Sequence, residues 1–117
     1  MTPLTETEEK FAKLLWDRVP ISSSELVRLG EEGMGWKKST TYTMLKRLEQ
    51  KEIFRNEDGL VRALTGQEDY YAGRSRQFVD DTFGGSLPRF LTAFTRREKL
   101  KPEEIQELRR LIDSCDE

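Results

Sequence analysis

The sequence predicts a mainly α protein with one small β-hairpin, and three observations carry that reading. Helix-start signals and apolar periodicity mark three helices before residue 52, a turn dipeptide at Asp58-Gly59 divides two short strand-like runs, and the last third returns to apolar residues at helical spacing.

Thr5 with Glu8 three positions later is a capping box, in which hydroxyl and carboxylate each take a backbone N–H that a helix start leaves free. Phe11, Leu14 and Leu15 then share one face and Trp16 lies near the end, so the first helix spans Thr5 to Asp17. Ser22 with Glu25 repeats the device after Pro20. Leu26, Val27 and Leu29 give this second helix its apolar side, and Gly30 and Gly33 are expected to break it.

The stretch WKKSTTYTMLKRLEQKEIFRN, residues 36–56, reads as a helix running into a strand. At roughly 100° per residue, Thr41, Met44, Leu45 and Leu48 form a stripe that should be buried. Ser39, Thr43, Lys46 and Gln50 cluster on the opposite side, flanked by Tyr42 and Arg47, while Lys37 and Lys38 sit at the helix N-terminus. No acid lies at the centre of this outer face, because Glu49 points sideways. Hydroxyls, lysines and an arginine without acids are what a surface needs to meet phosphates and base edges. Lysines at a helix N-terminus oppose the macrodipole, whereas a phosphate bound there would be attracted by the free N–H groups, the dipole and both ammonium groups. A solvated polar face is the plainer reading of any exposed helix; the neighbouring sequence argues against it here.

Ile53 and Phe54 open a strand-like run, Asp58-Gly59 signals a hairpin turn, and residues 61–64 return, with Arg55 and Arg62 on opposite arms. Residues 36–65 hold seven basic residues against four acids, a surplus of three in a chain whose net charge is −2, so the remainder carries −5. A polyanion-binding surface must therefore be local. Three helices followed by a hairpin is the plan of a winged helix-turn-helix domain, assigned to residues 1–66; in that plan the third helix enters the major groove of DNA and the hairpin touches the flanking backbone.

Residues 67–117 read as a helical arm. Tyr70, Tyr71, Phe78, Val79 and Phe83 define a fourth helix stopped by Gly84-Gly85. Leu87, Phe90, Leu91 and Phe94 define a fifth, and Pro102 followed by Ile105, Leu108, Leu111 and Ile112 a sixth. Three amphipathic helices in so short a segment cannot easily bury their apolar faces alone, which points to a second copy of the chain, with Phe78, Phe83, Leu87, Phe90, Leu91, Phe94, Ile105, Leu108, Leu111 and Ile112 at the dimerisation face. An ordinary core within one chain is the alternative.

Composition narrows the rest. The 117 residues leave room for one domain or a small domain with an arm, and a hydrophobic fraction of 35% allows only a modest core. Cys115 is the only cysteine and histidine is absent, which excludes a disulfide framework and the common Cys/His zinc sites; no metal or cofactor is expected. With no histidine and no phosphate-gripping glycine motif, and with Asp80-Asp81 and Glu103-Glu104 read as solvated helix surface, an enzyme is not expected. The N-terminus lacks a signal-peptide pattern and no stretch approaches roughly 18 apolar residues, so a soluble, cytoplasmic protein without a membrane partner is expected.

The segments LTETEEKFAKLLW, WKKSTTYTMLKRLEQKEIFRNEDG, FVDDTFGGSLPRFLTAF and EKLKPEEIQELRRLI resemble, in order and over nearly the whole chain, the penicillinase-repressor and copper-transport-repressor family, the BlaI, MecI and CopY group. The resemblance implies a bacterial transcriptional repressor whose N-terminal winged helix binds a double-stranded DNA operator of dyad symmetry and whose C-terminal arm forms a homodimer. It maps the recognition helix onto Lys38 to Lys51, with Thr40, Thr43 and Arg47 at family positions. Lys37 stands where the family often has a capping serine, Glu52 replaces a glycine, and Leu60 replaces a basic residue just after the wing glycine, a contact Arg62 is placed to take over. The copper-sensing members' cysteine cluster is missing. In the penicillinase repressors a sensor-linked protease cuts the arm, and the bond aligned with their Asn-Phe site is Ala93-Phe94. A winged helix that binds protein and not DNA is the rival reading, and it would call for apolar or acidic residues on the outer face of the third helix.

Overall fold

Both N-terminal capping boxes form in the computed structural model, which describes residues 2–115. Thr5 Oγ1 accepts the Glu8 N–H at 3.2 Å while Glu8 Oε1 accepts the Thr5 N–H at 2.9 Å, starting α1 (Glu6–Trp16). Ser22 and Glu25 do the same at the start of α2 (Ser23–Met34). Gly30 and Gly33 do not break this helix. It continues to Gly35, whose φ of 69° supplies the left-handed C-terminal turn, because Gly30 is held in the helix by its packing against the next one.

Three residues separate α2 from α3 (Lys38–Gln50). The chain then enters β2 (Phe54–Glu57), turns at Asp58 and Gly59, both at positive φ as a two-residue hairpin with right-handed twist demands, and returns as β3 (Leu60–Ala63). A third strand, β1 (Ile21–Ser22), was not expected from the sequence. It pairs antiparallel with β3, Ile21 opposite Val61, giving the sheet order β1-β3-β2. The hairpin tip is also tied to α2, since Ser23 N–H donates to the Gly59 carbonyl at 3.0 Å.

The core of this first compact unit, which runs to Ser75, gathers Phe11, Ala12 and Leu15 from α1, Ile21, Leu26, the α3 stripe, and Ile53, Phe54 and Val61. Tyr70, in the first turn of α4 (Gln67–Phe83), is fully buried there; its hydroxyl accepts the Leu4 N–H at 3.0 Å, and its ring lies 5.6 Å from that of Trp16. At about 1.5–3 kcal/mol for each large apolar side chain, this cluster is the main support for the orientation of α3.

The second unit begins at Arg76. Gly84 and Gly85, at φ of 60° and 82°, end α4. Ser86 caps α5 (Leu87–Thr95) by accepting the Arg89 N–H at 3.2 Å, and Pro102 opens α6 (Pro102–Ser114), where Glu104 accepts the Lys101 N–H at 3.0 Å. Phe78, Phe83 and Phe90 meet edge to face with centroids 5.5–6.0 Å apart. Nothing in α5 or α6 is buried. No helix among the described residues is long and apolar enough to cross a membrane.

Candidate nucleic-acid interface

The buried side of α3 consists of Thr41, Met44, Leu45 and Leu48, the stripe its periodicity predicts. Thr41 sets how closely α2 approaches: it is fully buried, donates its hydroxyl to the Lys37 carbonyl at 3.2 Å, and lies against Gly30, where a Cβ would come within 2.2 Å of its Oγ1. A side chain at residue 30 would push the two helices apart.

That packing turns the other side outward. Lys37, Lys38, Ser39, Thr40, Thr43, Lys46 and Arg47 are all exposed, and Tyr42 is half-buried with its ring against the core. Thr43 donates to the Ser39 carbonyl at 3.0 Å, which leaves its oxygen free to accept. Whereas α1 and α2 have acids and capping boxes in their first turns, α3 has neither an acid there nor a side-chain cap at Lys37. Its first N–H groups and two ammonium groups therefore share one end of the helix, an arrangement suited to an anion.

The far end is fixed by two features that were not read from the sequence. Lys51, the C-cap, reaches back to the Glu8 carboxylate and to the Pro3 carbonyl, so it is not among the charges available to a polyanion. Burial of Glu8 alone would raise its pKa; the hydrogen bonds from Lys51 and Thr5, with the Lys51 charge, overcome this and hold the carboxyl below its ordinary value. Glu52 takes φ 61° and closes the helix: its N–H donates to Glu49 and that of Ile53 to Leu48, both at 3.0 Å. Glu49 is turned toward the hairpin, where it accepts the Asn56 N–H at 3.3 Å, away from the outer face.

On the hairpin, Arg55 and Arg62 are directly opposite in the register and both exposed. Phe54 and Val61 occupy the buried face of the same strands. The arm presents a different chemistry. None of Phe78, Phe83, Leu87, Phe90, Leu91, Phe94, Ile105, Leu108, Leu111 and Ile112 is buried, and Phe94 and Ile112 keep 50% and 60% of their surface. Phe90, Leu91, Phe94, Leu100, Leu108 and Leu111, together with Glu104 and Glu107, line a mostly apolar groove of about 430 Å³ within the arm.

The sequence profile of the penicillinase repressor family matches residues 4–114. The chain is 25% identical to the penicillinase repressor of Bacillus licheniformis over 114 residues, covering 94% of this chain and 89% of that protein. It is 23% identical to the methicillin resistance regulatory protein MecI of Staphylococcus aureus over 114 residues, 94% of this chain and 93% of the relative, and 22% identical to MecI of Mammaliicoccus sciuri over the same shares.

Proposed function

The chain belongs to the penicillinase repressor family, and from that premise we propose that it represses transcription as a dimer on a dyad-symmetric double-stranded DNA operator. The observation that carries the reading is the outer face of α3, which is basic and hydroxylic, free of acids and uncapped at its N-terminus. Lys37 and Lys38 would meet backbone phosphate with the helix N–H groups, and Ser39, Thr40, Thr43, Lys46 and Arg47 would lie along the major groove, with Tyr42 at its edge. Arg55 and Arg62 would take the flanking backbone. A protein-binding winged helix is disfavoured by the same face, which offers a protein partner neither an apolar anchor nor acids.

The functional division follows the 1–66 head and the 67–117 arm, with α4 rooted in the head's core through Tyr70. A second copy is the partner supported by the arm, where Leu111 and Ile112 keep 58% and 60% of their surface. Covering such side chains is worth about 1 kcal/mol for each half-exposed Leu, Ile or Phe. Linking two heads lets the second bind its half-site at high effective concentration. A sensor-linked protease cutting at Ala93-Phe94, in the exposed α5, would remove that linkage and release the operator.

The test is Leu108→Glu with Ile112→Glu, which puts unpaired carboxylates into the apolar seam where desolvation opposes them. The parent should sediment as a dimer and the variant as a folded monomer whose affinity for a duplex with two half-sites falls to that for one. A monomer that binds the full site as tightly as the parent would refute the dimeric mechanism.

A further inference from the structure

The register of the hairpin places Arg55 directly across from Arg62. Opposite residues of an antiparallel pair have Cα atoms about 4.5–5.5 Å apart and project to the same face, so two guanidinium groups leave the sheet side by side. Like charges so placed oppose each other. Among the described residues neither arginine takes part in an ion pair. The nearest acid on that face of the strands is Glu57, exposed and paired in the register with Leu60. Two side-by-side cations without a carboxylate between them form a fork suited to the oxygens of one anion.

We propose that Arg55 and Arg62 form a single two-guanidinium site that holds one DNA backbone phosphate on the shaft of the hairpin. The inference rests on the DNA-binding reading above and deepens it. Leu60, directly after the turn, offers no charge at the tip, so the wing's electrostatic contact is moved onto the strands. Because the two groups serve one phosphate, they are redundant in charge neutralisation and cooperative in geometry.

The experiment compares the full chain with Arg55→Gln, Arg62→Gln and the double variant, with Lys46→Gln as a control, on a short random-sequence duplex over a range of salt. Each contacted phosphate contributes about 0.9 to the log–log slope. Each single variant should bind more weakly while keeping nearly the parent's slope, because the remaining arginine still neutralises the phosphate. The double variant should lose about 0.9 per subunit. Two separate phosphates would instead cost about 0.9 in each single variant and about 1.8 in the double, and that result overturns the shared site. So does a double variant with the parent's slope. If the parent and the Lys46 control both bind without salt dependence, the DNA reading falls and takes this inference with it. Neither single substitution should lower the melting temperature of the free protein, since each relieves a like-charged pair; a lowered value would contradict the unpaired arrangement on which the site depends.

Discussion

Gly30→Ala should damage the protein although alanine is the better helix former. A Cβ at this position would lie 2.2 Å from Thr41 Oγ1 and 2.9 Å from its Cγ2. Thr41 cannot yield freely, because it is fully buried and hydrogen-bonded to the Lys37 carbonyl. Alanine contributes about 1 kcal/mol of helix propensity over glycine. Overpacking costs roughly 1–3 kcal/mol, and an overlap this deep belongs at the upper end, leaving a net loss of about 2 kcal/mol. With a urea dependence of about 2 kcal/mol per molar, the unfolding midpoint should fall by about 1 M at fixed protein concentration. Thr41→Ala in the same chain removes the obstructing atoms, so the double variant should be more stable than the sum of the single losses predicts. A Gly30→Ala protein as stable as the parent, or strictly additive losses, would refute the idea that this contact sets the spacing of α2 and α3.

Other perturbations separate positioning from readout. Lys46→Ala and Arg47→Ala should weaken binding to operator, whereas Thr43→Ala should change preference among operator variants, as titrations against single-base variants would reveal. Glu8→Gln should cost about 2–3 kcal/mol at neutral pH, because it leaves the Lys51 ammonium without its buried partner. The Glu8 pKa is lowered on folding, so its contribution is present above the unfolded carboxylate value and is lost as pH falls through the folded one. Urea midpoints of parent and Gln variant should accordingly converge on acidification. Glu52→Gly should stay within about 1 kcal/mol of the parent, since relief of the left-handed backbone is offset by glycine's chain entropy, while β-branched Glu52→Val should lose more than about 1 kcal/mol in the same assay.

Where local chemistry decides structure, the sequence was legible. Both capping boxes and the four-residue buried stripe of α3 were readable because each depends on residues within a few turns of one another. The exposed residues on α3 followed from the same periodicity, as the complement of that stripe. The features that escaped depend on distant partners. β1 is two residues long, too short for an alternating pattern, and its mate in β3 lies 40 positions away, Ile21 against Val61. Gly30 looked like a helix breaker because propensity counts only the missing side chain, and the reason for its absence, Thr41, sits on another helix. Glu8 was readable as a cap and not as the partner of Lys51, 43 positions on. Tyr70 was read with the arm because its helix is, although its ring belongs to the core of the first unit. The Arg55–Arg62 alignment needed the register, which the Asp58-Gly59 turn could have supplied: counting back symmetrically from a two-residue loop pairs Glu57 with Leu60 and Arg55 with Arg62.

The most direct test of dimeric operator binding is recovery of genomic DNA fragments by the full chain, followed by sequencing. Enriched fragments should share an inverted repeat, with half-site centres separated by whole helical turns of about 10 base pairs, and should be lost as salt rises. Enrichment no greater than that of bulk DNA, or a shared motif without dyad symmetry, would contradict it.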